Sequence, residues 1–87
     1  MPTERPERYA RQLAGHWARK TEQETVDGTT VLRFDGGNVV SLRPEPGALH
    51  VEVSVPDGGD VERFSQVVAE HLVRFGTRDQ LTVVWSR

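Results

Sequence analysis

Two stretches of the chain space their apolar residues as an amphipathic α-helix does. In the first, Tyr9, Leu13 and Trp17 recur every four residues and so share one helical face. Pro6 stands just before this run, where a helix can begin because its first turn leaves N–H groups unpaired anyway. The pattern predicts a helix from about residue 6 or 7 to residue 20.

A second, more strongly patterned helix is predicted after residue 57. Asp57 is expected to cap its N-terminus, and Gly76 is expected to end it, because glycine readily adopts the left-handed conformation common at helix ends. One arc of this helix carries the residues expected to face the interior, namely Val61, Phe64, Val68, His71, Leu72 and Phe75.

Residues between the two helices follow the alternating pattern of β-strands. Two β-rich runs within residues 30–43 flank the turn-forming residues 35–38, which predicts a hairpin. Residues 48–55, ALHVEVSV, alternate strictly between apolar and polar side chains. Residues 22–26 are a candidate edge strand, and LTVVW at 81–85 reads as a final strand.

These elements predict an α+β fold of order α-β-β-β(-β)-α-β. Two helices should cover one face of a mostly antiparallel sheet of about four to five strands, because clean alternation is typical of a sheet wet on its other side. Residues 6–87 are expected to form a single domain, and residues 1–5 a loose N-terminus. The aromatic residues at helical and strand spacing are assigned to the core, namely Tyr9, Trp17, Phe64, Phe75 and Trp85.

Composition removes several classes of function. The 87 residues include no cysteine, which excludes a disulfide framework, a thiolate nucleophile and cysteine-bound metal centres. No run approaches the roughly 18 apolar residues of a membrane span, and the charged start differs from a secretory signal. The chain is therefore expected to be cytoplasmic, with no membrane partner.

Charge is distributed unevenly along the chain. Residues 1–20 hold five basic and two acidic residues, a net charge of +3, whereas the remaining residues carry −5. Arg8, Arg11 and Arg19 fall on the outer side of the first helix and could meet phosphate, an acidic partner or RNA. A solvated helix face is the simpler interpretation, and nucleic acid is disfavoured because interleaved aromatic residues are missing.

His16 and His71 are the most suggestive candidates for chemistry. Each falls on or beside the apolar arc of its helix, so the two imidazoles could turn toward one interior. In one interpretation they are half-buried polar residues that hydrogen-bond carbonyls or carboxylates. In the other they form a metal or proton-transfer site, although Glu70, Asp79 and His50 supply no recognised ligand spacing. No cofactor is predicted, and the metal is left open.

The wet face of the predicted sheet is a candidate interaction surface. Its members share an outward position on predicted strands and are Arg33, Arg43, His50, Glu52, Ser54 and Thr82. An ordinary polar sheet face is the alternative. No serine stands in a G-x-S-x-G context, and neither glycine pair matches a phosphate-binding motif, so no reaction is indicated.

Two fragments, RYARQLAGHWARK at 8–20 and VVAEHLVRFGTRDQLTVVW at 67–85, resemble the ends of the bacterial family catalogued as domain of unknown function 2218. The matching positions are Arg8, Tyr9, Gln12, Leu13, His16, Trp17, Lys20, His71, Leu72, Arg74, Phe75, Arg78, Leu81 and Trp85. The resemblance implies a small α+β fold without an agreed activity, in a context of siderophore and iron-handling genes. Arg19 and Thr21 stand where the family often has a second histidine and an aromatic residue, which weakens a metal pair within the first helix.

Two functions are carried forward from the sequence. The leading hypothesis is a non-catalytic module that binds a partner protein or a second copy through the exposed sheet face or a free strand edge. The rival is a metal-binding or enzymatic accessory protein of iron or siderophore metabolism that uses His16 and His71. The sequence identifies no small-molecule ligand for either.

Overall fold

The computed structural model describes residues 1–76 and 82–85. Two helices enclose a run of four strands in the chain. The elements are α1 (Pro6–His16), β1 (Thr21–Val26), β2 (Thr29–Phe34), β3 (Val39–Glu45), β4 (Ala48–Ser54) and α2 (Val61–Phe75). This arrangement confirms the α+β class.

The four strands form one antiparallel sheet in the order β1-β2-β3-β4. Asp27 and Gly28 connect β1 to β2 with φ values of 51° and 82°, the two positive angles of a two-residue hairpin turn. Residues 35–38 connect β2 to β3, and Pro46 with Gly47 connects β3 to β4. The predicted hairpins are therefore present, and the candidate edge strand at 22–26 is real.

Both helices pack on the same face of the sheet and share its core. Leu32, Val40, Leu42 and Leu49 lie on this face and are fully buried. They meet the buried residues of the helices, which are Tyr9, Ala10, Leu13, Trp17, Val68 and Leu72. Each fully buried aliphatic side chain contributes about 1.5–3 kcal/mol, so this single layer of contacts determines which sheet face is covered.

Helix α1 ends at His16, four residues earlier than the sequence predicts. The carbonyl of Trp17 accepts hydrogen bonds from the Lys20 N–H at 3.0 Å and from the Thr21 hydroxyl at 2.7 Å. The Thr21 hydroxyl thus replaces the N–H donor that a continuing helix would supply. The chain turns here because Thr21 must enter β1 opposite Phe34.

The ends of α2 also differ in detail from the prediction. Asp60, and not Asp57, is the N-cap, and its carboxylate accepts the Arg63 N–H at 3.0 Å. Asp57 lies in the preceding turn, too far ahead to reach the first free N–H groups of the helix. Gly76 ends the helix as predicted, but its φ of −113° is not left-handed.

The segments at residues 1–3 and 82–85 lie beside β4, and both differ from expectation. Met1 is hydrogen-bonded to Leu49 of β4 and Thr3 to Gly47 just before it, so the start of the segment 1–5 expected to be loose is paired. Residues 82–85 form no strand, which corrects the predicted final strand over the part of LTVVW that is described. Trp85 is 36% exposed and Val84 is 76% exposed, so Trp85 is not a core residue.

Candidate functional site

His16 and His71 meet at the surface where α1 ends beside α2. Their ring centres lie 4.9 Å apart, with the ring planes tilted by 55°. Trp17 packs 4.9 Å from His71, and Phe75 packs 5.6 Å from His16, measured between ring centres. These four side chains form one cluster of rings, and His16 with His71 is the imidazole pair within it.

Backbone geometry fixes the orientation of the His71 ring. Its Nδ1 lies 2.7 Å from the carbonyl oxygen of Val67, one turn earlier in α2. Because a carbonyl only accepts, Nδ1 carries the proton and donates it to this bond. In the neutral ring, Nε2 therefore has a free lone pair, which is the form that binds a metal or accepts a proton.

His16 is more exposed than its position on the predicted apolar arc suggested. The helix ends at His16 itself, so the ring lies at the rim of the core and not beneath it. Among the described residues, its ring nitrogens have no hydrogen-bond partner, and its contacts are with the rings of Trp17, His71 and Phe75. The two imidazoles thus meet at a solvent-accessible margin.

The structure does not bring the sequence-suggested third ligands to the imidazole pair. Glu70 is exposed and accepts a hydrogen bond from Gln66 at 3.3 Å, while His50 lies on the opposite face of the sheet. Asp79 lies outside the described residues. Within residues 1–76 and 82–85, no three metal-binding side chains converge.

The open face of the sheet collects most of the predicted interaction surface. Arg43 is paired with His50 across β3 and β4, and Glu52 and Ser54 follow on the same face, as does Arg33 of β2. Thr82 does not join them, because residues 82–85 are not part of the sheet.

Ion pairs on this open face are local and exposed. Arg33 binds Glu24 at 3.0 Å, Arg43 binds Glu45 at 2.6 Å, and the Nε2 of His50 lies 3.0 Å from the Glu52 carboxylate. Each of the two arginine–carboxylate pairs contributes at most about 1 kcal/mol, because water screens exposed charges. Positive and negative groups are consequently interspersed on this surface, and neither sign dominates it.

The predicted basic strip is divided in two. Arg8 and Arg11 lie on α1 and line a shallow cleft against residues 44–47, a cleft that also contains acidic side chains. Arg19 lies beyond the helix, in the turn that leads to β1. A continuous row of three guanidinium groups would need the longer helix that the sequence predicted.

A second candidate site, missed by sequence reasoning, lies along the outer edge of β4. Leu49 donates its N–H to the Met1 carbonyl at 2.8 Å, and its carbonyl accepts from the Met1 amine at 3.0 Å. Backbone groups of alternate residues point to the same side of a strand, so Val51 and Val53 also direct theirs outward. In the described part of the chain, neither has a hydrogen-bond partner on that side.

A groove runs beside this edge, between β4 and α2. Its walls include Val51, Val53, Val61, Ala69 and Val83. Three carboxylates, those of Glu45, Glu52 and Glu62, stand along it. Alternation in ALHVEVS was a signal for the strand, but only the strand order makes β4 an edge.

Neither helix within the described residues is long and apolar enough to cross a membrane. One protein-family model, described as an uncharacterised protein conserved in bacteria, matches residues 1–86. No curated protein and no solved structure matches the chain.

Proposed function

Because the chain belongs to the family of uncharacterised bacterial proteins named DUF2218, its geometry is the guide to its role, and we propose a non-catalytic protein-interaction module. The module binds an extended peptide segment of a partner protein along the outer edge of β4. Addition of a strand to an open sheet edge is a common mode of peptide recognition, since backbone hydrogen bonds supply affinity and side-chain pockets supply specificity.

The observation that carries the proposal is that this edge already accepts an extended segment. Met1 and Thr3 form three backbone hydrogen bonds with residues 47 and 49, at 2.8–3.0 Å. The described pairing reaches Leu49, and the outward groups of Val51 and Val53 continue the same row. A partner strand placed end to end with Met1 would pair with these two residues.

Charge and apolar surface define the partner's chemistry. Side chains of an added strand point alternately toward α2 and toward the open face of the sheet. Those facing α2 would meet Val61 and Ala69, whereas those on the other side would stand near the exposed carboxylate of Glu52. An extended segment that alternates apolar and basic residues therefore fits this edge.

The proposal is tested with a synthetic peptide that alternates valine and lysine. Chemical-shift perturbation in ¹⁵N-labelled protein should be largest at the amides of Val51 and Val53. The same peptide with every second backbone nitrogen methylated is the matched control, because it keeps the charge but loses the strand hydrogen bonds. Saturation is expected by about 1 mM, the weak affinity of a short generic strand.

Two variants at one position sharpen this test. Val53→Pro removes an outward N–H but leaves the ladder to β3, so it should abolish peptide binding while the protein stays folded. Val53→Ala keeps the N–H and should retain binding. Equal binding of the methylated peptide would contradict the proposal.

Light scattering tests whether a second copy of the chain, and not a partner protein, occupies the same edge of β4. If the free protein is a dimer that Val53→Pro converts to a monomer, the occupant is a second copy and the partner proposal is wrong. Slow amide exchange at both Val51 and Val53 in a monomer would also contradict it, because these groups would then already be paired within the chain.

A further inference from the structure

We propose that His16 and His71 form a two-imidazole binding site for a divalent first-row transition ion, with Cu²⁺ bound most tightly. This site is independent of the peptide groove. His71 lies about 200° around α2 from Ala69, at roughly 100° per residue, so the two sites use opposite sides of the helix.

Ring spacing is the first argument for the site. When two imidazole nitrogens bind one ion at about 2.0–2.1 Å, the ring centres lie about 4.5 Å apart at the 90° angle that Cu²⁺ favours and about 5 Å apart at a tetrahedral angle. The observed separation of His16 and His71 is 4.9 Å. Their tilt of 55° also differs from parallel stacking, in which neither ring directs a nitrogen at a shared point.

The second argument is the preset orientation of His71. Metal-binding histidines commonly donate their other ring N–H to a carbonyl or carboxylate, which fixes the tautomer and makes the free nitrogen a better ligand. The bond from Nδ1 of His71 to the Val67 carbonyl does this in the structure. Trp17, only 5% exposed, packs against the same ring and limits its movement.

The surroundings of His16 favour a cation. His16 is the last residue of α1, and the carbonyl groups at a helix C-terminus carry partial negative charge. His16 is an exposed residue, so an ion can reach it from solvent without local unfolding. Its ring nitrogens have no hydrogen-bond partner among the described residues, and a bound ion would therefore break no contact of this kind.

The number of ligands sets the kind of metal site. Structural zinc sites use four protein ligands, whereas this pair supplies two and leaves the remaining positions for water or an external ligand. Binding should follow the usual order of divalent ions at nitrogen ligands, with Cu²⁺ above Ni²⁺ and Zn²⁺, and Mn²⁺ weakest. Copper is therefore the most sensitive probe.

The test is a titration of the untagged full chain with CuCl₂, followed by calorimetry and tryptophan fluorescence. Trp85→Phe is the working background, so that emission reports on Trp17 beside His71. We expect one ion per chain, quenching of Trp17 and a higher melting temperature, because the ion links α1 to α2. Lowering the pH from about 7.5 to 5 should weaken binding, since protons compete for the same nitrogens.

Three variants distinguish this site from other copper sites. His16→Ala and His71→Gln should each weaken Cu²⁺ at least about tenfold, because loss of even an outer-shell partner typically costs 10–100-fold. His16→Ala changes an exposed residue and should fold normally, whereas His50→Ala is the matched control and should bind as the parent does. Unchanged affinity in His16→Ala, loss confined to His50→Ala, or no binding by the parent would each overturn the proposal.

Discussion

The two edges of the sheet are protected in different ways. β1 reads TEQETV, and its side chains hold it to the end of α1, where the Gln23 amide donates to the Ala14 carbonyl at 2.8 Å and to the Thr21 hydroxyl at 2.9 Å. β4 reads ALHVEVS and is protected by another piece of backbone, the Met1–Thr3 segment, over its first residues only. Charged and tethered edges resist pairing with other chains, so binding capacity should be concentrated at β4.

The largest difference between the two edges is expected in how much the nearby tryptophan contributes to the free energy of unfolding. Trp17 is buried against Phe34 near β1, whereas Trp85 lies in the groove beside β4 and is 36% exposed. Trp17→Ala should lower the free energy of unfolding by about 3–5 kcal/mol through the cavity it creates. Trp85→Ala should cost a much smaller amount in the same denaturant titration. Equal losses would mean that the β4 groove belongs to the core and is not an open site.

The next largest effect on stability is expected from proline substitution at two adjacent positions of β4, Glu52 and Val53. The N–H of Glu52 faces β3, and the N–H of Val53 faces outward, so Glu52→Pro breaks the sheet while Val53→Pro leaves its hydrogen bonds intact. Glu52→Pro should unfold at a markedly lower temperature than Val53→Pro in circular dichroism melts. The reverse order would show that the outward register assigned to Val51 and Val53 is shifted by one residue.

A smaller effect on stability is expected from the side-chain hydrogen bond that holds β1 to α1. Gln23→Ala removes the hydrogen bond to the Ala14 carbonyl and should cost about 0.5–1.5 kcal/mol, the usual net contribution of one such bond. Glu22→Ala is the matched control, because Glu22 is an exposed neighbour on the other side of the strand. If Gln23→Ala leaves the free energy of unfolding unchanged in chemical denaturation, this hydrogen bond does not protect the edge.

Local patterns were sufficient to predict most of the fold. Alternation in ALHVEVS, the turn-forming residues at 35–38 and the periodic arc of α2 are properties of a few neighbouring residues, and each predicted its element. The meeting of His16 with His71 was also accessible, because two apolar arcs that share one core bring their edges together.

The features that were predicted wrongly or missed all depend on contacts between residues far apart in the sequence. The end of α1 depends on the Thr21 hydroxyl and on the entry of that residue into β1, which helical periodicity does not record. LTVVW has a strand pattern, but a strand also needs a hydrogen-bonding neighbour, and residues 82–85 have none in the described structure. The edge site was missed for the same reason, since no local signal predicts that β4 is the last strand.

Pairing of Met1 with Leu49 has a practical consequence for any fusion to this protein. The first residues run antiparallel to β4, so a tag placed before Met1 would continue directly toward Val51 and Val53. A tethered segment there has an effective concentration in the millimolar range, comparable to that needed to fill a weak strand site. An affinity tag at the N-terminus would thus act as a built-in competitor, and a C-terminal or cleaved tag should be used in binding studies.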